Sequence, residues 1–261
     1  MIFIDQIGHQ INIETTPKRI ISVVPSQTEL LFDLGLENEV VGITKFCIHP
    51  NSWFKNKTRI GGTKTLNINK IKQLKPDLII ANKEENTKQQ IEELQQLFPV
   101  WTSNIRNLSE SLEMIKQIGL ITKTNVKAEE IIAKIEQDFK LLTSIKKQSK
   151  STLYFIWREP FMSVGSSTFI HDVMERAGFV NAIETSENYP IVTSEQIKSI
   201  NPQLILLSSE PYPFKEKHIK EFKMLSKNAQ ILLVDGELFS WYGSRLTKTV
   251  HYLIDLLTKI K

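Results

Sequence analysis

Apolar positions along the chain alternate between two rhythms. Ile20-Ile21-Ser22-Val23-Val24 is a short, mostly β-branched run that stops at Pro25, whose missing N–H ends strand pairing, and it predicts a buried parallel strand. Directly behind it, Ser26-Gln27-Thr28-Glu29 has the S-x-x-E spacing of a capping box, followed by Leu30, Leu31 and Leu34 at helical spacing and a stop at Gly35. Val40-Val41-Gly42-Ile43 predicts a second strand, Ile68 to Leu74 a helix ended by Pro76, and Leu78-Ile79-Ile80-Ala81 a third strand. Ile91, Leu94 and Leu97 mark a helix before a strand at Pro99-Val100-Trp101, and Leu112, Ile115 and Ile118 mark another before Gly119. This βα rhythm predicts one α/β lobe with a mostly parallel sheet over residues 1–122.

The next segment differs. From Val126 to Lys147 there is no Gly or Pro, and Ile131, Ile132, Ile135, Phe139 and Leu142 follow a period near 3.6. A single helix there would span roughly 30 Å, enough to bridge two lobes, and the bridge is placed at 123–149. The βα rhythm restarts at Leu153-Tyr154-Phe155-Ile156-Trp157, giving a second α/β lobe over 150–261. Within it, the stretch from Ser194 to Ile205 repeats that from Ile68 to Ile79, 126 positions later: Ile-Lys, a branched aliphatic, Pro and Leu-Ile recur in register. The same offset lays Glu84 over Glu210. The expected architecture is two α/β lobes of one plan joined by one long α-helix.

Composition narrows the class without naming a ligand. With 41% hydrophobic and 24% charged residues the chain is an ordinary globular one, and no stretch reaches the roughly 18 apolar residues a membrane helix needs. A net charge of +4, with no run of five basic residues, gives no argument for nucleic acid. Cys47 is the single cysteine, so an internal disulfide and a Cys-rich metal site are both excluded. Met1 to Gln10 alternate apolar and polar, without the basic start and apolar block of a signal peptide, and run into what reads as the first hairpin.

In a two-lobed α/β protein the natural ligand site is a cleft where strand ends and helix N-termini converge. The candidates are the segments just past the strands: Ser26 to Glu29, Phe46 to Pro50, Asn82 to Glu85, Trp157 to Glu159, Tyr189-Pro190 and Glu237 to Arg245. Several carry aromatics in polar, turn-like sequence, Phe239-Ser240-Trp241-Tyr242-Gly243 most densely; a broad planar ligand would explain them, and a core role for Trp157 and Trp241 is the alternative. Ser26 and Glu29 read first as capping residues, a role compatible with ligand contact. His49 is the one histidine in a predicted cleft turn and the one candidate metal ligand; the other four histidines show no close pairing. Cys47 and His49 stand two apart, a weak signal for a nucleophile and base, and Gly61-Gly62 reads only as a turn. No Walker loop, G-x-S-x-G or G-x-G-x-x-G is present.

Three segments, Arg19 to Leu30, Val41-Gly42-Ile43 and Lys75-Pro76-Asp77-Leu78-Ile79-Ile80, resemble the helical-backbone (class III) substrate-binding proteins of ABC importers, within them the cobalamin-binding branch. Ferric siderophore and haem receptors share these segments. The resemblance implies a non-enzymatic, monomeric receptor with no catalytic cofactor, holding a corrinoid or iron chelate for delivery to ABC permease membrane subunits. It carries corrinoid contacts onto Phe46, Asn82, Tyr189, Glu237 and Trp241, of which Asn82 and Trp241 depart from the branch's usual tryptophan and arginine. Beside these, Trp157 and Tyr242 are expected to stack, Arg158, Glu237 and Arg245 to meet polar edges, and Ser26 to lie where a helix N-terminus attracts a ligand's negative end. Docking to permease arginines falls on Glu195 in the second lobe; the first-lobe position aligns with Lys88, which leaves Glu84 or Glu85 to supply the charge. A receptor of this kind is expected in the periplasm or cell envelope. The absence of a leader from the first residues keeps open a cytoplasmic enzyme or corrinoid-handling factor.

Overall fold

The computed structural model describes residues 1–145 and 149–260 and divides into two compact units. The first comprises Met1–Ile105, Ser109–Lys134 and Tyr242–Arg245; the second comprises Arg106–Leu108, Ile135–Trp241 and the described residues from Leu246 onward.

The first unit opens with the expected hairpin, β1 (Ile2–Ile4) against β2 (Gln10–Asn12). Its main sheet is built from β3 (Ile20–Ser22), β4 (Val40–Ile43), β5 (Thr58–Arg59), β8 (Leu78–Asn82) and β9 (Val100–Ser103) in the order β5-β4-β3-β8-β9, all parallel. Between β5 and β8 lies a two-stranded hairpin, β6 (Gly61–Gly62) with β7 (Thr65–Leu66), so the two glycines form a strand where a plain turn was expected. Gly61 sits at φ 103°, and a Cβ there would lie 2.4 Å from the Thr65 carbonyl oxygen, which is why the tight hairpin needs glycine. The helices are α1 (Pro25–Asp33), α2 (Asn51–Asn56), α3 (Ile68–Leu74), α4 (Lys88–Gln95), α5 (Leu108–Thr122) and α6 (Asn125–Thr143). Ile20, Ile21, Ile43, Ile71, Leu78, Ile79, Ile80 and Trp101 are buried.

In the second unit β10 (Ser151–Trp157), β13 (Leu204–Ser208) and β14 (Gln230–Val234) run parallel, with β11 (Met162–Ser163) antiparallel on one edge and the short β12 (Val180–Asn181) paired to the start of β10. The helices are α7 (Phe169–Arg176), α8 (Ser194–Ile200), α9 (Glu216–Leu225), α10 (Glu237–Ser240) and α11 (Leu246–Thr258). Leu153, Phe155, Ile197, Ile205, Leu207 and Phe222 form its core.

The 126-residue offset holds in detail. It carries α3 onto α8 and β8 onto β13 with identical bounds, and the one buried residue of each helix, Ile71, onto Ile197. Both helices are capped by a side chain that accepts the third residue's N–H, from Asn67 and Thr193, and both end in a left-handed residue, Lys75 at φ 45° and Asn201 at φ 46°. Asp77 accepts the Lys18 and Arg19 N–H groups at 2.7 and 2.8 Å, and its counterpart Gln203 accepts that of Ser151 at 3.1 Å.

Four local expectations are corrected. Ser26 does not cap α1: the helix starts at Pro25, whose fixed φ suits a first helical position, and the N-cap is Val24 without a side-chain bond. Leu97 lies beyond α4, which ends at Gln95. Gly119 does not stop α5, which continues to Thr122; a Cβ at Gly119 would lie 2.5 Å from that of Ala128, so the glycine admits close packing of α5 on α6. Helix α6 ends at Thr143, short of the expected Lys147; Lys146, Lys147 and Gln148 lie outside the described residues. Its first residues belong to the first unit, and those from Ile135 onward to the second.

Candidate functional site

The candidate residues of the first unit sit where its parallel strands end. Ser26, four residues past β3, is buried in the first turn of α1. Glu29, one turn on, receives Arg245 in a fork: Nε donates to Oε2 at 2.7 Å and Nη2 to Oε1 at 3.1 Å, with both side chains over nine-tenths buried. Arg245 therefore ties the 242–245 segment to α1, joined by the Gly243 N–H donating to Ser111 Oγ at 3.2 Å. Tyr242 is buried, only 7% exposed.

Past β4 the loop runs in the opposite sense. Phe46 keeps 51% of its surface exposed, with Lys45 Nζ 5.1 Å from its ring centre, and neighbouring Ile48 is also exposed. Cys47 between them is fully buried, where the Thr28 and Thr44 hydroxyls each approach its sulfur at 3.1 Å. Burial pushes the thiol up, outweighing those hydroxyls, so it stays protonated and gives no support to pairing with His49 as a nucleophile. His49 is half-buried, and the described residues contain no group of three metal-binding side chains.

Asn82, at the end of β8, is buried and used locally. Its Oδ1 accepts the Glu84 and Glu85 N–H groups at 2.8 and 2.9 Å, and its Nδ2 donates to Ser103 Oγ at 2.9 Å. This Asx-type turn presents Glu84 and Glu85 on the surface. Lys88, further on, is exposed and pairs with Glu92 at 3.7 Å.

In the second unit Trp157 closes β10 with its ring 39% exposed, its Nε1 donating to the Glu159 carbonyl at 3.1 Å and Tyr212 meeting it edge-on at 5.8 Å. Arg158 forks onto Glu221 at 3.0 and 3.3 Å and also reaches Glu159; the Glu221 contact raises its guanidinium pKa further. Tyr189 is half-buried in the loop before α8. Glu195 is exposed in the first turn of α8, where its own backbone N–H and the Thr193 hydroxyl hold its carboxyl below the usual range.

Trp241 departs from the exposed ring its turn-like sequence suggested: it is 8% exposed, and its Nε1 donates to Glu210 Oε1 at 2.9 Å. The same oxygen accepts Ser240 Oγ at 2.7 Å. Glu237, opening α10, is half-buried near Glu210 and Asp235. Sequence reasoning noted Glu210 only as the counterpart of Glu84 and passed over Tyr212. The signal for Tyr212 was Pro211-Tyr212-Pro213-Phe214, an aromatic, proline-rich loop just past a strand.

Each α/β unit places aromatic and polar side chains just past its parallel strands, where folds of this class bind small molecules. Residues 20–229 match the periplasmic binding protein family, and the chain belongs to it, as a substrate-binding protein of the helical-backbone kind that serves ABC transporters. The chain is 27% identical over 267 residues to an uncharacterized ABC transporter substrate-binding lipoprotein, YvrC, of Bacillus subtilis, covering 96% of this chain and 83% of the relative. It is 29% identical over 199 residues to a vitamin B12-binding protein of Vibrio cholerae, covering 73% and 70% respectively. The crystal structure of the periplasmic vitamin B12 binding protein BtuF of Vibrio cholerae is similar at a TM-score of 0.80 and 25% identity, over 94% of this chain and 98% of that one. No helix among the described residues is long and apolar enough to cross a membrane.

Proposed function

We propose that this protein captures a corrinoid, a cobalamin-like metal chelate, at the outer face of the membrane and delivers it to the permease of an ABC importer. The observation that carries the reading is that two large aromatic rings stay exposed at strand ends, Phe46 after β4 and Trp157 at the end of β10. An exposed ring gains by stacking on a broad apolar ligand and little by facing water. Relatives that carry vitamin B12 in their names support the corrinoid reading. In this reading Phe46, Trp157, Tyr189, Trp241 and Tyr242 supply apolar contact, while Arg158 and Glu237 meet polar edges. Ser26, Asn82 and Arg245 shape the loops around them, and His49 is the candidate metal ligand. Exposed Glu195 and the Glu84–Glu85 pair are the docking carboxylates for permease arginines.

The test is retention of colour. The purified protein is incubated separately with cobalamin, cobinamide, haemin and a ferric siderophore, desalted, and its visible spectrum recorded. Retention of cobalamin or cobinamide is expected. Retention of haemin or the siderophore alone replaces the corrinoid with an iron chelate, and retention of none ends the chelate reading.

A further inference from the structure

A carboxylate of the second unit, Glu210, holds the Trp241 indole without itself being among the expected ligand contacts. Glu210 follows β13 and is mostly buried, yet it accepts two hydrogen bonds on one oxygen, from Ser240 Oγ and from the Trp241 indole. Gly236 presses against it: a Cβ at that position would lie 2.6 Å from Glu210 Cγ and 2.3 Å from Ser208 Oγ, so the turn into α10 closes over the carboxylate only because it is glycine. Ser208 Oγ holds the Glu210 backbone, accepting its N–H at 3.3 Å and donating to its carbonyl at 2.6 Å.

The surroundings are hostile to charge. Asp235 and Glu237 face Glu210 from the turn into α10, Tyr154 faces it from β10, and Tyr252 of α11 stands behind, its hydroxyl accepting the Asp235 N–H at 2.8 Å. Burial, then Glu237 and Asp235, push the Glu210 carboxyl above the usual range, against the pull of Ser240 and Trp241. The folded protein thus holds a proton there at pH values where the unfolded chain has lost it, and stability falls as pH rises through that window. Glutamine would keep an acceptor without the charge.

We propose that Glu210 is the positioning residue of Trp241, its carboxylate fixing the indole in the orientation in which that ring meets the ligand. The ligand half of this statement rests on the reading of Trp241 given above. Glu84 occupies the same place in the first repeat but is exposed and bonds no aromatic ring, so the second repeat has turned a surface position into an anchor.

The experiment follows the Trp241 indole N–H in 1H–15N spectra of the full chain without ligand, assigned with Trp241→Phe, alongside cyanocobalamin titrations. In the wild type this resonance should move with a midpoint above the ordinary glutamate range, and in Glu210→Gln it should be fixed, with a melting temperature at neutral pH above the wild type. Glu210→Ala should weaken cyanocobalamin by about tenfold or more, the scale of one lost charged hydrogen bond, and Glu210→Gln should restore most of it. An indole resonance indifferent to pH and to both substitutions overturns the proposal. So does a folded Glu210→Ala that binds normally while Trp241→Ala does not, a result that leaves the binding reading standing. Normal binding by Trp241→Ala removes the ring from the ligand and the proposal with it. If the wild type retains no corrinoid, the indole titration alone decides whether Glu210 positions Trp241.

Discussion

At the level of single residues, the buried fork between Arg245 and Glu29 shows most clearly how a side chain's role depends on what the fold brings to it. In the sequence Glu29 stands three places after Ser26 and reads as half of a capping box; in the structure Pro25 takes the first helical position and Glu29 turns to an arginine 216 residues away. No local pattern announces a partner at that distance. Both groups are desolvated, so removing one strands the other. Arg245→Ala is expected to cost about 3–5 kcal/mol in urea unfolding, whereas Glu29→Leu combined with Arg245→Met should recover most of that loss. Equal stability of the single and double variants would show that the pair is not coupled. Trp241 teaches the same lesson: a polar neighbourhood in sequence suggested an exposed ring, and Glu210 accounts for its burial. Phe46 and Trp157 stand in turn-like sequence just past strands and keep 51% and 39% of their surface exposed.

Elements were far more legible, since their information is local. The helix-Pro-strand unit around Lys75-Pro76-Asp77 was recognisable because each residue does a backbone job. Lys75 closes α3 in a left-handed turn, Pro76 prevents its continuation, and Asp77 accepts two N–H groups from the chain entering β3. Its repeat keeps each job with different chemistry, Asn201 and Gln203 replacing Lys75 and Asp77. The family resemblance carried by this motif is therefore a statement about folding, and it leaves the ligand to other residues. Ile71 and Ile197 hold the same register position, each the sole buried residue of its helix and fully enclosed. Substituting either by alanine should cost about 2–5 kcal/mol, read from denaturant midpoints. A loss below half a kilocalorie at either site would break the equivalence. What failed at this scale were ends: Gly119 was read as a stop because a helix interior seldom keeps glycine, but its reason is Ala128 on the next helix.

Over the whole molecule, two α/β units of one plan and a helix whose residues belong to both were foreseeable from alternating patterns and the 126-residue repeat. The candidate site was legible only as a set of strand ends, because loop side chains are placed by tertiary packing. The fold supplies positions, and the proposed ligand rests on which rings remain exposed, Phe46 and Trp157. Calorimetric titration of cyanocobalamin into the wild type, Phe46→Ala and Trp157→Ala is the most direct measurement of this. The account predicts saturable one-to-one binding with each single substitution weakening affinity by about 1–3 kcal/mol, the range for burying and stacking one aromatic ring, at unchanged melting temperature. Absence of heat in the wild type, or wild-type affinity in both variants, would contradict it.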